Sequence, residues 1–387
     1  MDRRCAIICS RVEDRFSNTK QEGRQTMAEQ RLIYVGTYTK KGSEGIYVYR
    51  FDPDTGALDL LSKATGLDNP SFLAIHPTRR YLYAVNEVRG KGGSDGGAVS
   101  AFSIDPKTGE LTLLNRQSAH GASTCHLSVE QTGKYVLAAN YSSGSVAMLP
   151  IQEDGRLGEA TSLVQHAGSS VDPRRQKGPH AHSITPGPFN RFAFAADLGL
   201  DKIMIYRMDL DAGKLLPNDP PWAQVHPGDG PRHFTFHPNR RYAYVINELG
   251  NTMVAFRYDE ARGALDELQS ISTLPEDFKD TSYCADVHVL PSGKFLYGSN
   301  RGHNSIAIFA IDESTGKLTP VGYEPTQGDH PRNFMIDPTG TFLLVANQNT
   351  DNIVGFRIDS NTGLLKPTGH VTEVSMPVCL KMISLPG

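Results

Sequence analysis

At 387 residues, with 39 Lys+Arg against 42 Asp+Glu and a formal net charge of -3, the chain has no overall basic balance of the kind that binds polyanions such as nucleic acid. Its 37 glycines and 24 prolines are spread along the length, which suits many short strands joined by turns, and no run of about 18 apolar residues is present to span a membrane as a helix. Cys5, Cys9, Cys125, Cys284 and Cys379 lack metal-ligand spacing and read as free thiols of a reducing, cytoplasmic compartment.

Residues 1–29 form a polar leader whose one apolar run, CAII, is too short for a signal-peptide core. It is expected to be disordered, and a single domain is expected over 30–387. From there a strand ending in a short polar turn recurs seven times: LIYVGT, YLYAVN, YVLAAN, FAFAAD, YAYVIN, FLYGSN and FLLVAN, ending at Thr37, Asn86, Asn140, Asp197, Asn247, Asn300 and Asn347. The spacing of about fifty residues is that of propeller blades. Each copy is followed by a second strand, as in GIYVYRFD or TMVAFRYD, and usually by a Thr-Gly or similar turn with a Leu-rich strand after it. The glycine-rich GKGGSDGG, 90–97, reads as a flexible loop, and Trp222 is expected in a loop, packed on a neighbouring blade. Six copies are preceded by a further strand, SFLAIHP, CHLSVE, AHSITP, RHFTFHP, ADVHVLP and NFMIDP. The first lacks one, and MPVCLKMIS, residues 376–384, supplies it from the far end of the chain. The expected fold is all-β: a seven-bladed β-propeller of four-stranded antiparallel blades, closed by the C-terminal strand joining the first blade.

In such a blade the start of the innermost strand and the end of the next share a face. Arg232, His233 and Glu248, at the two ends of GPRHFTFHPNRRYAYVINELG, are therefore expected together at the mouth of the channel. Alignment of the innermost strands puts Phe72, His126, His182, His233, Asp286 and Asn333 at one level and Ser71, Cys125, Ala181, Arg232, Ala285 and Arg332 at the level before. The recurring Asn or Asp is a turn cap. The position after it, Tyr38, Glu87, Tyr141, Leu198, Glu248, Arg301 and Gln348, is free of that constraint and open to function.

The segments GTYT, GPHAHS, DLGLDK, GPRHF, NEL, SNRGH and HPRNF, in this order and spacing from about Arg31 to Ser384, resemble the seven-bladed lactonase family, which includes bacterial 6-phosphogluconolactonases and fungal carboxymuconate-lactonizing enzymes. The resemblance implies a catalytic cluster of His182, Arg232, Glu248 and Arg301. Around it His126, His180, His233, Asp286, Glu87 and, by repeat alignment, Arg332 are expected to bind substrate.

Hydrolysis of a sugar δ-lactone needs water, a base and donors for the developing oxyanion. Either Glu248 or His182 fits the base, and Arg232 and Arg301 fit the oxyanion and an anionic substrate group. No metal or other cofactor is required: Asp286, His182 and His233 resemble a ligand set, but the neighbouring arginines repel a cation. The expected partner is a small sugar-phosphate lactone, with neither nucleic acid nor membrane. A muconolactone-type cycloisomerase and a non-catalytic ligand-binding propeller stay open as alternatives, whereas one tryptophan and no repeated Trp-Asp disfavour a WD-repeat scaffold.

Overall fold

The computed structural model describes residues 30–90 and 96–385, so the expected disorder of the leader and most of the GKGGSDGG segment lie outside the described residues. Within them the chain forms 28 β-strands, arranged as seven four-stranded antiparallel sheets. The innermost strands are β28 (Pro377–Leu385), β4 (Leu73–Ile75), β8 (Thr124–Val129), β12 (Ala181–Pro186), β16 (Pro231–Phe236), β20 (Tyr283–Val289) and β24 (Pro331–Ile336). Their outward neighbours are β1 (Gln30–Thr37), β5 (Tyr81–Asn86), β9 (Tyr135–Asn140), β13 (Phe192–Asp197), β17 (Tyr242–Asn247), β21 (Phe295–Arg301) and β25 (Phe342–Asn347). As expected, β28 pairs with β1 along its length, from Gln30 opposite Leu385 to Thr37 opposite Pro377, so both ends of the domain share one blade.

The second strand of each blade is apolar on both faces because both are covered by neighbouring blades. Phe192, Phe194, Phe234, Phe256 and Tyr258 fill one such interface, and Ile33, Tyr49, Phe51, Phe342 and Leu344 fill the one across the closure. Burial of each large side chain contributes about 1.5–3 kcal/mol. The repeated turn adds a specific lock. Gly316 lies at φ 74°, a conformation glycine adopts without strain; it packs on the ring of Tyr242, and its carbonyl accepts a bond from Tyr244 Oη at 3.1 Å. Gly109 does the same for Tyr34, at 2.9 Å. Each turn thereby docks on the second strand of the preceding blade. The turn of blade one completes the circle by packing Gly56 on Phe342 of blade seven.

The recurring Asn is a cap of wider reach than its own turn. The Nδ2 groups of Asn140, Asn300 and Asn347 bond the carbonyls of Ala119, Thr273 and Thr326, each on the segment arriving from the preceding blade, at 2.8–3.0 Å. Trp222 departs from expectation. It lies within β15 (Lys214–Gln224), the outermost strand of blade four, 43% exposed, with Lys202 Nζ of the same blade 3.9 Å from its ring centre. The Pro-Pro pair that suggested a loop is tolerated because an outermost strand needs no second ladder.

Candidate active site

A one-residue bulge near the start of the innermost strands builds the site. In β16 the register runs Pro231 opposite Asn247, then His233 opposite Ile246, leaving Arg232 as the extra residue. The same irregularity singles out Cys125, His182 and Arg332 in β8, β12 and β24. A bulge re-aims the side chain it carries, here beside the channel mouth. This corrects one register of the sequence alignment: His182 stands at the level of Arg232 and Arg332, and Ser183, not His182, at the level of His233. Phe192 lies eight positions after Ile184, as Tyr242 lies eight after Phe234, so Ile184 is the counterpart of Phe234, and the alignment of the innermost strands sets His182 one position off.

Glu248, one residue beyond β17, is the hub. Its Oε2 accepts bonds from Arg232 Nε at 3.1 Å and Arg301 Nη2 at 2.7 Å, and lies 3.9 Å from His182 Nε2. All four side chains expected in the catalytic cluster therefore meet, and all are buried. A wider bulge in β20, between Cys284 and Val287, leaves carbonyls for the two arginines. Arg301 donates to Tyr283 O at 3.3 Å and Cys284 O at 2.7 Å, and Arg232 donates to Ala285 O.

Across the mouth, Tyr38 Oη donates to Glu87 Oε2 at 2.9 Å and Ser71 Oγ donates to the same oxygen at 2.5 Å. The Arg332 guanidinium lies 5.4 Å from the Tyr38 ring centre. Among the described residues it makes no side-chain hydrogen bond or ion pair, in contrast to Arg232 and Arg301. His180 stacks on Tyr141 with ring centres 4.6 Å apart, and Tyr141 in turn meets His182 edge-on at 5.2 Å.

His126 and His233 form the floor. With Phe72 they make a cluster of rings whose centres are 4.3–5.7 Å apart. Beyond the floor, toward the far ends of the innermost strands, lies a cavity of about 270 Å³ lined by His126, His233, Asp286, His288, Lys381 and neighbours. Asp286 accepts from His233 Nδ1 at 2.7 Å and His288 Nε2 at 2.9 Å. His126 and Asp286 thus lie at and below the floor, away from the Glu248 cluster. Among the described residues no three His, Cys, Asp or Glu side chains converge to hold a metal.

The electrostatics separates the two candidate bases. Burial alone would raise Glu248, but the Arg301 and Arg232 charges and the hydrogen bond from Arg175 hold it well below the ordinary carboxylate range. It is a fixed anion. Burial and the Arg232 charge push His182 well below the ordinary imidazole value, so it is neutral with a free lone pair at pH 7. Burial also pushes the Cys125 thiol far up, which removes it as a nucleophile. Burial, with the charges of Arg301 and Arg332, brings Arg232 down to about 9, still a cation at neutral pH.

Sequence reasoning missed Arg175. Its Nη2 donates to Glu248 Oε1 at 2.6 Å and to Tyr141 Oη at 3.3 Å. It sits in HAGSSVDPRRQKGP, a segment between blades three and four that belongs to no repeat unit, and that lack of repeat character was the available signal. Asp172 Oδ1 caps the Arg174 and Arg175 amides, and buried Gln176 ties the segment to Leu198 O and Asp201. Tyr38 and Tyr141 occupy the position after the repeat turn, where function was expected to settle.

The family described as lactonase, 7-bladed beta-propeller, matches residues 32–382. The chain is 41% identical to 6-phosphogluconolactonase of Bacillus subtilis over 79% of its length and 84% of the relative's. It is 40% identical to 6-phosphogluconolactonase of Formosa agariphila over 79% of its length and 86% of the relative's. The solved periplasmic gluconolactonase PpgL of Pseudomonas aeruginosa superposes with a TM-score of 0.87 at 35% identity, covering 92% of this chain and 100% of that one. With seven four-stranded blades and a family match spanning every one of them, the chain belongs to the seven-bladed β-propeller lactonase family and is a lactone hydrolase.

Proposed function

We propose that this lactonase hydrolyses 6-phospho-D-glucono-1,5-lactone to 6-phosphogluconate, as the names of its Bacillus and Formosa relatives describe for those proteins. The observation that carries the reading is a surplus of positive charge at one mouth. Among the described residues Arg175, Arg232, Arg301 and Arg332 face two carboxylates there, Glu248 and Glu87, and Arg332 makes no ion pair. A substrate bearing a phosphate dianion matches that surplus, and a guanidinium can give a phosphate two parallel hydrogen bonds.

The chemistry follows from the protonation states. His182 takes a proton from water as the water oxygen attacks the lactone carbonyl carbon, and Arg232 and Arg301 hold the oxyanion. Collapse of the tetrahedral intermediate breaks the bond from that carbon to the ring oxygen. The leaving oxygen recovers the proton from His182, and the new carboxylic acid loses its own proton to solvent. The phosphate charge offsets the guanidinium field that depresses His182, so bound substrate raises the basicity of the imidazole. Glu248 stabilises the transient imidazolium and keeps the arginines in place.

This reading puts the protein in the pentose phosphate route and in a reducing compartment such as the cytoplasm. Free, buried Cys125, Cys284 and Cys379 support the latter, and no described helix is long and apolar enough to cross a membrane. Initial rates on phosphorylated and unphosphorylated gluconolactone, corrected for spontaneous opening, test it. A large preference for the phosphorylated lactone is expected. Equal rates, or muconolactone formation from a muconate, would overturn it.

A further inference from the structure

Arg232 is held by three bonds from two of its nitrogens, Nε to Glu248 and Nη1 to Ala285 O and His233, and the last of these dictates the chemistry of a residue outside the Glu248 cluster. Its Nη1 lies 3.1 Å from His233 Nε2. A guanidinium has only donors, so Nε2 must be the unprotonated, accepting nitrogen of the imidazole. The proton then sits on Nδ1, which points at Asp286 Oδ1 at 2.7 Å. The other carboxylate oxygen accepts from His288 Nε2 at 2.9 Å and from Asn333 Nδ2, and Oδ1 also accepts the Val287 amide at 3.0 Å. Asn333 is itself fixed, because its Oδ1 accepts the Leu380 amide of the closing strand at 2.7 Å. Every neighbour of the Asp286 side chain is thus a donor, and only an acceptor on both oxygens fits.

We propose that Asp286 and His233 are positioning residues for lactone hydrolysis: Asp286 fixes His233 as the neutral Nδ1–H tautomer, and the Nε2 lone pair of His233 fixes Arg232. The Arg232 guanidinium is in this way clamped between Glu248 on one side and the His233–Asp286 pair on the other. Neither positioning residue touches the reacting atoms. Burial and the Arg232 charge bring His233 down to about 4, which keeps it neutral at working pH. This assignment rests on the oxyanion role proposed for Arg232, and it replaces the expectation that His233 and Asp286 bind substrate.

Asp286→Asn tests it, because one oxygen becomes a donor facing either His233 Nδ1–H or the Asn333 and His288 donors. His233 then turns its proton toward Arg232, donor against donor. kcat is expected to fall by roughly a hundredfold, the scale of a displaced catalytic group, with little change in KM and no loss of the folded state. His233→Phe should match it, whereas His233→Gln, whose amide can accept from Arg232 and donate to Asp286, should recover most of the loss. The second measurement needs no substrate: imidazole ¹⁵N NMR of the wild-type protein should report His233 as the Nδ1–H tautomer at pH 7, converting in Asp286→Asn. Wild-type kcat in a folded Asp286→Asn protein, or an Nε2–H or doubly protonated His233 in the wild type, would overturn the proposal. If neither lactone is opened by the wild-type protein, the hydrolytic reading falls and the NMR result alone decides how Arg232 is held.

Discussion

Arg175 Nη2 approaches Glu248 Oε1 at 2.6 Å, on the carboxylate oxygen opposite the one shared by Arg232 and Arg301. Glu248 follows the second strand of blade five, whereas Arg175 is carried on the segment between blades three and four, outside the repeat. A third of the Arg175 side chain is exposed, whereas Arg232 and Arg301 are sealed in. Arg175 is therefore the member of the trio able to exchange its contact for a substrate anion. Arg175→Gln should raise KM for the phosphorylated lactone about ten- to a hundredfold, the equivalent of one charge-assisted hydrogen bond of about 1.5–3 kcal/mol. Initial-rate kinetics at fixed pH checks it, and an unchanged KM would remove Arg175 from the anion pocket.

His182 and Glu248 should separate under mutation although they touch. His182→Gln removes the base and should lower kcat by about 10²–10⁴-fold while leaving thermal stability close to wild type. Glu248→Gln leaves three guanidinium groups around a neutral side chain. Breaking a buried pair by removing one partner costs about 3–5 kcal/mol, so this variant should lose both turnover and stability. Parallel denaturant titrations and kinetics distinguish them. A fully stable Glu248→Gln protein would mean the arginines do not depend on that carboxylate.

Much of this site was legible in the sequence because a propeller converts period into position. Once β16 and β17 are recognised as an antiparallel pair, Arg232 and Glu248 must share an end, and the same logic brings in Arg301 from blade six. What repeat reasoning could not supply were features that break the repeat. The bulge at His182 moves it one level without changing the blade count. Arg175 reaches the mouth on a segment with no counterpart in other blades. Trp222 looked like a loop residue because prolines are read as breakers, yet an outermost strand tolerates them. The division of the axis into a charged mouth and a distal cavity depends on how Phe72, His126 and His233 stack, and that is a matter of side-chain packing on which strand periodicity is silent.

Acid should destabilise the fold early. His126, His182 and His233 are buried, with folded values pushed below the ordinary imidazole value by burial first, and then by His233 for His126 and by Arg232 for the other two. The unfolded chain binds those protons first, so stability falls as pH drops from about 6.5 toward the folded values. Glu248 and Asp286, depressed in the folded state, add a second loss below about pH 4. For His233, whose folded value is about 4, the loss approaches about 3 kcal/mol at one pKa unit per 1.36 kcal/mol. Melting temperatures between pH 7 and 4.5 should decline, and His126→Gln should flatten the slope. A flat profile in the wild type would contradict the neutral state assigned to these rings.

Arg332 offers the sharpest test of substrate class. Arg232 and Arg301 bond Glu248 and backbone carbonyls, so their loss would disturb the cluster whatever the substrate. Arg332 lies beside Tyr38, with no hydrogen-bonded or ion-paired acceptor among the described residues. Its charge is thus available to a ligand. If that ligand is the phosphate of the lactone, Arg332→Gln should raise KM for the phosphorylated substrate by about tenfold or more, since hydrogen bonds to charged groups are worth about 1.5–3 kcal/mol. Opening of unphosphorylated gluconolactone should change far less, because that substrate brings no dianion to the mouth. The ratio of the two kcat/KM values is the readout, and it should fall. An equal loss for both lactones would place Arg332 with the groups that hold the ring or the oxyanion, and the phosphate would then need another anchor, for which Arg175 is the remaining arginine with an exposed face.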